Sequence, residues 1–86
     1  MSNPERERAL CLRIIQLLTE EREKRKISKY ALAQKSGVSP QMVGYIEKGE
    51  RNPTLEIVCR LAAALEVDLS KLVRKAEQDV FKAKTT

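Results

Sequence analysis

Histidine and tryptophan are both absent from this 86-residue sequence, which narrows the chemistry open to the chain. Without histidine there is no His-based catalytic triad and no histidine-ligated metal site. The sequence also has no phosphate-binding loop, no nucleophile elbow and no catalytic carboxylate pair. It therefore predicts a protein that is not an enzyme and that uses no metal or cofactor.

Aromatic residues make up only 3% of the chain, so its core must be aliphatic. Leucine, isoleucine and alanine recur at helical spacing, which favours a helical bundle over a sheet. A chain of 86 residues is long enough for one small domain, but not for an enzyme with a separate substrate domain. We therefore expect a single all-α domain, with a core over about 10–73 and a helical extension over 74–86.

Cysteine is also scarce, and the two present, Cys11 and Cys59, are too far apart in sequence for a Cys-x-x-Cys motif. Both lie in apolar helical runs, so we expect buried, reduced thiols in a cytosolic protein, with a disulfide or a redox switch as the alternative. The charged start, residues 1–8, and the polar residues Arg13 and Gln16 in the apolar run after it argue against a signal peptide or a membrane span.

The formal charge is +5 and the pI is about 9.5, which suits a polyanionic partner. Between residues 27 and 70, however, basic and acidic side chains are equal in number. The basic ones are Lys29, Lys35, Lys48, Arg51 and Arg60, and the acidic ones are Glu47, Glu50, Glu56, Glu66 and Asp68. A nucleic-acid-binding surface there must separate the charges onto different faces. Charge alone leaves a merely well-solvated basic protein as the alternative.

Capping residues mark where helices begin. Asn3 begins a first helix whose apolar residues recur at three- and four-residue steps. Ser28, Ser39 and Asp68 each follow an apolar residue and precede another four positions on, the pattern of a hydrophobic staple. Thr54 supplies a fourth cap of the same kind. These signals predict five helices, over about 4–25, 29–36, 40–48, 55–65 and 69–82.

The second and third predicted helices are separated by three residues only, 37–39, and this spacing is typical of a helix-turn-helix unit. Ala33 is small where the two helices would cross, and Gly37 can supply the positive φ of the turn. Val43 and Ile46, three residues apart, would hold the third helix on the core. The opposite face of that helix must then point outward.

This outward face carries Gln41, Gly44, Tyr45 and Lys48, after Pro40 at the first helical position, where proline is tolerated. Glycine inside a helix costs about 1 kcal/mol relative to alanine, so the close approach of another surface, such as a groove wall, is one reason for Gly44. Gln41 can pair with adenine, and Tyr45 can reach a phosphate or a thymine methyl. The alternatives are a solvated glutamine and a tyrosine packed on a neighbouring helix.

Five ordered elements bring these features together. They are Leu32-Ala33, Gly37-Val38-Ser39, Ile46-Glu47-x-Gly49, Asn52-Pro53-Thr54-Leu55 and Leu61-Ala62. At these spacings the chain, over about 10–73, resembles the Cro/CI-type (Xre-family) helix-turn-helix domain of phage and bacterial regulators. The resemblance implies a five-helix bundle of the phage-repressor type. It also implies a third helix that enters the major groove of DNA, usually in a dimer on a palindromic operator.

The resemblance further implies roles for individual residues. The implied base readers are Gln41, Gly44, Tyr45 and Pro40. The implied phosphate contacts are Lys29, Ser39, Lys48, Arg51 and Asn52. The family also often pairs an arginine of the first helix with the glutamate of the third, and here that implies a structural pair of Arg22 with Glu47.

Three positions depart from the family pattern. Lys29 stands where a glutamine is common, which replaces an oriented amide with a point charge. Pro40 replaces a polar residue, and Gly44 replaces a serine or a charged reader. Specificity is therefore expected to depend more heavily on Gln41 and Tyr45.

The predicted fifth helix carries an apolar stripe beyond the family core. Its members are Leu69, Leu72, Val73, Ala76, Val80 and Phe81. The stripe needs a partner, which is either the extension of the first helix, through Leu10, Cys11 and Ile14, or a second copy of the chain. We favour a homodimer through this helix, because one short module seldom buries enough surface for tight operator binding.

The sequence as a whole predicts a sequence-specific regulator that binds double-stranded DNA and has no membrane association. A restriction–modification controller or a small phage repressor would have this size. The alternative function is that of an antitoxin, a protein whose helices cap a toxin while the same motif binds its own promoter. Because no second domain is expected, regulation would come from concentration, dimerisation or a protein partner.

Overall fold

The computed structural model describes residues 3–82, and helices account for most of them. The helices are α1 (Pro4–Lys24), α2 (Lys29–Ser36), α3 (Pro40–Glu47), α4 (Leu55–Ala64) and α5 (Leu69–Lys82). The predicted all-α, five-helix architecture is confirmed, and the predicted bounds differ only at the ends of α1, α3 and α4, each by one residue. Residues 83–86 of the predicted extension lie outside the described part of the chain.

The helices begin where capping residues satisfy the first backbone N–H groups. The side-chain oxygens of Asn3, Ser28, Ser39 and Thr54 each accept a hydrogen bond from the N–H three residues later, at 3.0–3.2 Å. At α5, Asp68 accepts from the hydroxyl and the N–H of Ser70, at 2.7 and 3.1 Å. The Ser70 hydroxyl is the main reason that the pKa of Asp68 is lower than usual.

Two helices end on residues that the sequence does not mark as stops. Lys26 follows α1 and Glu66 follows α4. Their φ angles of 57° and 56° lie in the left-handed region, which residues with a Cβ atom rarely adopt. The N–H groups of Ile27 and Val67 then donate to the carbonyl five residues earlier, at 3.1 and 2.9 Å. Ile27 and Val67 also pack against the core, so the burial of these side chains offsets the free-energy cost of the strained backbone before them.

The core is aliphatic, as the composition predicted, and it lies between α2, α3 and α4 with α1 across them. Val43, Ile46 and Leu65 are its largest fully buried side chains, each 1% exposed. Burying one such side chain contributes about 1.5–3 kcal/mol relative to leaving it in water. Ala33 is 3% exposed, which agrees with the predicted close crossing of α2 and α3.

Both cysteines are exposed, so the prediction of buried thiols was wrong. The buried residues of α4 are Leu61 and Ala62, followed by Leu65 just after the helix, and Cys59 lies on a different side of that helix. An apolar run therefore did not identify the buried face, which depends on helical phase rather than on local composition. Cys11 lies near the start of α1, and the two thiols are free, with no disulfide between them.

Helix α5 packs along α1 of the same chain. Leu72 and Ala76 are 7% and 0% exposed, so these two residues of the expected dimer stripe are covered within the chain and cannot also form a dimer surface. The remaining members of the stripe, Leu69, Val73, Val80 and Phe81, are half-buried. Of the two partners expected for the stripe, α1 therefore accounts for its buried centre.

Polar contacts hold the outer ends of α1 and α5 together. Arg13 Nε donates to Asp79 Oδ2 at 2.8 Å, and the Arg6 guanidinium carbon lies 4.0 Å from the centroid of the Phe81 ring. The hydrogen bond from Arg13 is the main cause of a lowered pKa at Asp79, and the same bond raises the pKa of Arg13. These contacts extend the α1–α5 pair beyond the compact core.

Candidate nucleic-acid interface

The turn between α2 and α3 is fixed by hydrogen bonds. Gly37 has a φ of 75°, which only glycine adopts freely, and its N–H donates to Ala33 O at 3.0 Å. Ser36 is buried, donates to the same carbonyl at 3.4 Å and accepts from Val38 N–H at 3.3 Å. Because these hydrogen bonds restrain the backbone of the turn, the angle between α2 and α3 is set locally.

A buried ion pair ties α3 to α1. Arg22 Nε lies 2.7 Å from Glu47 Oε2 and Arg22 Nη2 lies 3.0 Å from Glu47 Oε1, with both side chains about 10% exposed. Arg22 Nη1 also donates to Ile27 O at 2.7 Å. The hydrogen bond that Arg22 donates to Glu47 outweighs desolvation and raises the pKa of Arg22. The pair therefore fixes the last residue of α3 against α1, in the arrangement that the family resemblance implied.

The faces of α3 divide as the sequence predicted. Val43 and Ile46 are buried, each 1% exposed, whereas Pro40 and Gln41 are exposed and Tyr45 is 41% exposed. The Arg51 guanidinium carbon lies 5.8 Å from the centroid of the Tyr45 ring, on the solvent side of the bundle. The helix thus presents an amide and an arginine-stacked tyrosine to the outside, in a fixed orientation.

Gly44 lies between these outward side chains, and packing within the chain does not explain it. A Cβ atom built on Gly44 would meet no atom of the described residues within 4 Å. The backbone there is ordinary helix, since the positive-φ glycines are Gly37 and Gly49. An alanine would therefore fit, and no contact within the described residues explains the glycine.

The residues implied as phosphate contacts lie at the ends of α2 and α3 and in the loop that follows α3, and all are exposed. They are Lys29, Ser39, Lys48, Arg51 and Asn52. The Ser39 oxygen already accepts from Met42 N–H at 3.1 Å, so its hydroxyl hydrogen is the group left to donate. Four of the five can therefore donate from a charged or amide nitrogen, and the fifth from a hydroxyl.

The loop after α3 folds back on the end of that helix. Glu50 N–H donates to Tyr45 O at 2.9 Å, and Gly49 reverses the chain with a φ of 76°. A Cβ on Gly49 would lie 3.5 Å from Leu12 Cδ2, so the loop passes close to α1 at this point. The positions of Arg51 and Asn52 relative to α3 are set by these contacts.

One residue of this surface was missed at the level of sequence. Arg8, on the first turns of α1, donates from Nη1 to Asn52 Oδ1 at 3.0 Å and from Nη2 to Gly49 O at 3.5 Å. Arg8 and Asn52 are 44 residues apart. No local pattern connects them, and the contact exists only because α1 extends past the core to reach the loop.

A family model described as helix-turn-helix matches residues 18–72, from the second half of α1 to the start of α5. The match covers more than half of the chain. This chain belongs to the Xre/Cro-type helix-turn-helix family. Comparison with curated proteins and with solved structures gives no match.

Family membership confirms the resemblance seen in the sequence and makes this helix-turn-helix protein a DNA-binding transcription regulator. The matched range contains α2, α3, the loop that follows and the Arg22–Glu47 pair, while Arg8 and most of α5 lie outside it. No group of three or more metal-ligating side chains is found within residues 3–82. In the same range, no helix has both the length and the apolar character needed to cross a membrane.

Proposed function

We propose that this helix-turn-helix protein is a homodimeric regulator that reads a palindromic operator with α3 in the major groove. The observation that carries the proposal is the outward face of α3. It presents Gln41 and Tyr45 around the open space at Gly44, while Val43, Ile46 and the Glu47 ion pair hold the helix against the core. The major groove is wide enough to admit one α-helix, and an exposed, rigidly held helix suits it.

Each outward residue then has a role in base recognition. The Gln41 carboxamide donates to N7 and accepts from the N6 amino group of an adenine, since both groups are on one edge of that base. Tyr45, with Arg51 over its ring, lies against a thymine methyl or a phosphate at the groove wall. Gly44 lets the backbone of α3 approach the base edges, and Pro40 fixes the entry of the chain into the helix.

The exposed donors around α3 hold the DNA backbone in register. Lys29, Lys48 and Arg51 neutralise phosphates and release counterions, which makes binding fall as salt rises. Ser39 and Asn52 donate neutral hydrogen bonds to phosphate oxygens. Of the acidic residues of the central segment, Glu47 does not oppose this charge, because it is paired inside the fold with Arg22.

The dimer in this proposal uses the half-buried edge of α5, beside the residues that the chain itself covers. Leu69, Val73 and Val80 are half-buried beside the covered residues Leu72 and Ala76, and they form an apolar edge along α5. Two copies of this edge, related by a two-fold axis, would each contribute the same residues to the interface. A two-fold dimer places its two recognition helices on successive major grooves, about 34 Å apart.

Selection from a random double-stranded DNA library tests the proposed function. The expected result is a two-fold motif with half-sites about one helical turn apart, roughly 10 base pairs. Retention of DNA without any motif, fading as salt rises, would contradict sequence-specific reading. That outcome would favour a protein-interaction role in which DNA binding is secondary.

A further inference from the structure

We infer that Arg8 is a positioning residue for DNA-backbone contact: it holds the Asn52 side chain so that the amide nitrogen faces outward to donate to a phosphate. The inference rests on the proposed function and deepens it. It adds to the DNA-binding surface a residue outside the range that the family model matches. Two contacts on the α3–α4 loop carry it.

The first contact fixes the orientation of the Asn52 amide. Arg8 Nη1 lies 3.0 Å from the side-chain oxygen of Asn52. A guanidinium group has only donors, so the Asn52 atom that faces Arg8 must be the carbonyl oxygen, and the NH₂ group must point the other way. Asn52 is exposed, so that NH₂ group is open to an external acceptor.

The second contact is longer and joins Arg8 to the backbone of the loop. Arg8 Nη2 lies 3.5 Å from the carbonyl oxygen of Gly49, the residue that reverses the chain after α3. Glu50 N–H is bonded at 2.9 Å to the carbonyl oxygen of Tyr45 on α3. Arg8 therefore contacts both ends of the segment 49–52, and the same segment is bonded to α3 through Glu50. The position of Asn52 is therefore tied to that of α3.

Orientation matters because a phosphate oxygen only accepts hydrogen bonds. A freely rotating asparagine presents its oxygen and its nitrogen to a phosphate in turn, and the oxygen-facing orientation is repulsive. An asparagine whose oxygen is already bound to Arg8 presents only donors. Preorganising the side chain in this way removes an ordering cost that binding would otherwise carry.

A direct contact between Arg8 and a phosphate is the competing role, and salt dependence separates the two. A cation that touches a phosphate contributes about one unit to the slope of log affinity against log salt concentration, whereas a neutral asparagine contributes none. A positioning role predicts a loss of affinity with an unchanged slope. It also predicts that the loss depends on Asn52.

The experiment measures operator binding at several salt concentrations for Arg8→Met, Asn52→Ala and the double variant. Arg74→Met, which removes the same charge from an exposed site on α5, is the matched control. Loss of a hydrogen bond to a charged group corresponds to about tenfold in affinity, so we expect about tenfold for Asn52→Ala and about three- to tenfold for Arg8→Met. The double variant should bind as Asn52→Ala does, with the wild-type salt slope.

Asn52→Asp provides a second measurement that does not depend on whether Arg8→Met folds well. The aspartate keeps an acceptor for Arg8 but has no donor, so the melting temperature should hold while operator binding is lost. Operator binding by Asn52→Asp at the wild-type level would overturn the inference. Independent losses in the double variant with a shallower salt slope, or no loss in Arg8→Met, would do the same. If the wild-type chain itself selects no operator, the proposed function fails, and this inference fails with it.

Discussion

At the scale of single residues, we expect a substitution of Gly44 to change stability and DNA binding in opposite directions. An alanine at this position meets nothing within 4 Å and improves helix propensity. We therefore expect Gly44→Ala to raise the free energy of unfolding by about 1 kcal/mol. The same methyl group would keep α3 away from the base edges and weaken operator binding. Urea denaturation and operator titration of the one variant check both effects, and unchanged operator affinity would show that the space at Gly44 is not used.

Substitutions at Gln41 and Lys29 distinguish base recognition from contact with the DNA backbone. Gln41→Ala should cost about 1–3 kcal/mol on the selected operator and relax one base position, because a bidentate pair is lost. Lys29→Ala should weaken binding to all DNA about equally and reduce the salt slope by about one. Titration of each variant on operator and on random DNA is the measurement. Equal losses on both DNAs for Gln41→Ala would contradict its role as a base reader.

At the scale of elements, the residue that ends α4 can be replaced to stabilise the fold. Glu66 holds a left-handed backbone at φ 56°, where its Cβ costs about 1–2 kcal/mol and glycine has no such penalty. Glycine loses about 0.5–1 kcal/mol through its freer unfolded state, so Glu66→Gly should stabilise the fold by about 1 kcal/mol or somewhat less. Glu66→Ala keeps a Cβ and is the control. A similar gain for alanine would assign the effect to the lost charge rather than to the backbone.

The contact between α1 and α5 should depend on pH. The pKa of Asp79 is lowered in the folded state, chiefly by its hydrogen bond from Arg13, so the unfolded chain takes up this proton more readily than the fold does. The stabilisation is therefore fully present above the unfolded pKa, near pH 4, and is lost as pH falls through the lower folded value. Unfolding measured from about pH 5 to pH 2 should show a smaller pH dependence in Asp79→Asn than in wild type. An identical dependence in the two would contradict the assignment.

The helix starts could be predicted from the sequence because capping is local. A side chain three residues from the N–H that it satisfies leaves a readable spacing, as at Ser28 and Ser39. The helix stops at Lys26 and Glu66 gave no such signal, since tertiary packing of the following residue holds a backbone that propensity disfavours. The exposure of the cysteines and the Arg8–Asn52 contact could not be predicted from the sequence for a related reason. Helical phase and contacts over 44 residues are fixed only when the elements assemble.

At the scale of the whole molecule, the family pattern supplies the recognition unit and the lengthened terminal helices add to it. The matched range ends near the start of α5, while Arg8, Arg13 and Asp79 all lie outside it. The extension of α1 thus has two different neighbours. One side of it binds the loop after α3 through Arg8, and another side packs on α5 through the Arg13–Asp79 pair. The same extension therefore connects the proposed backbone contacts to the helix proposed for dimerisation.

The proposed dimer can be tested by placing a charge on the half-buried edge of α5. Val73 is half-buried beside the covered Leu72, so Val73→Glu would place a carboxylate in the proposed dimer interface without replacing a core residue. We expect sedimentation equilibrium to give a monomer where wild type is a dimer, with binding to the full operator reduced to that of a half-site. Leu55→Glu is the matched control for the sedimentation measurement alone, because Leu55 is 75% exposed at the start of α4 but lies three residues from the proposed phosphate contact Asn52. Dissociation by Leu55→Glu but not by Val73→Glu would contradict the α5 interface and locate the dimer contact at the start of α4.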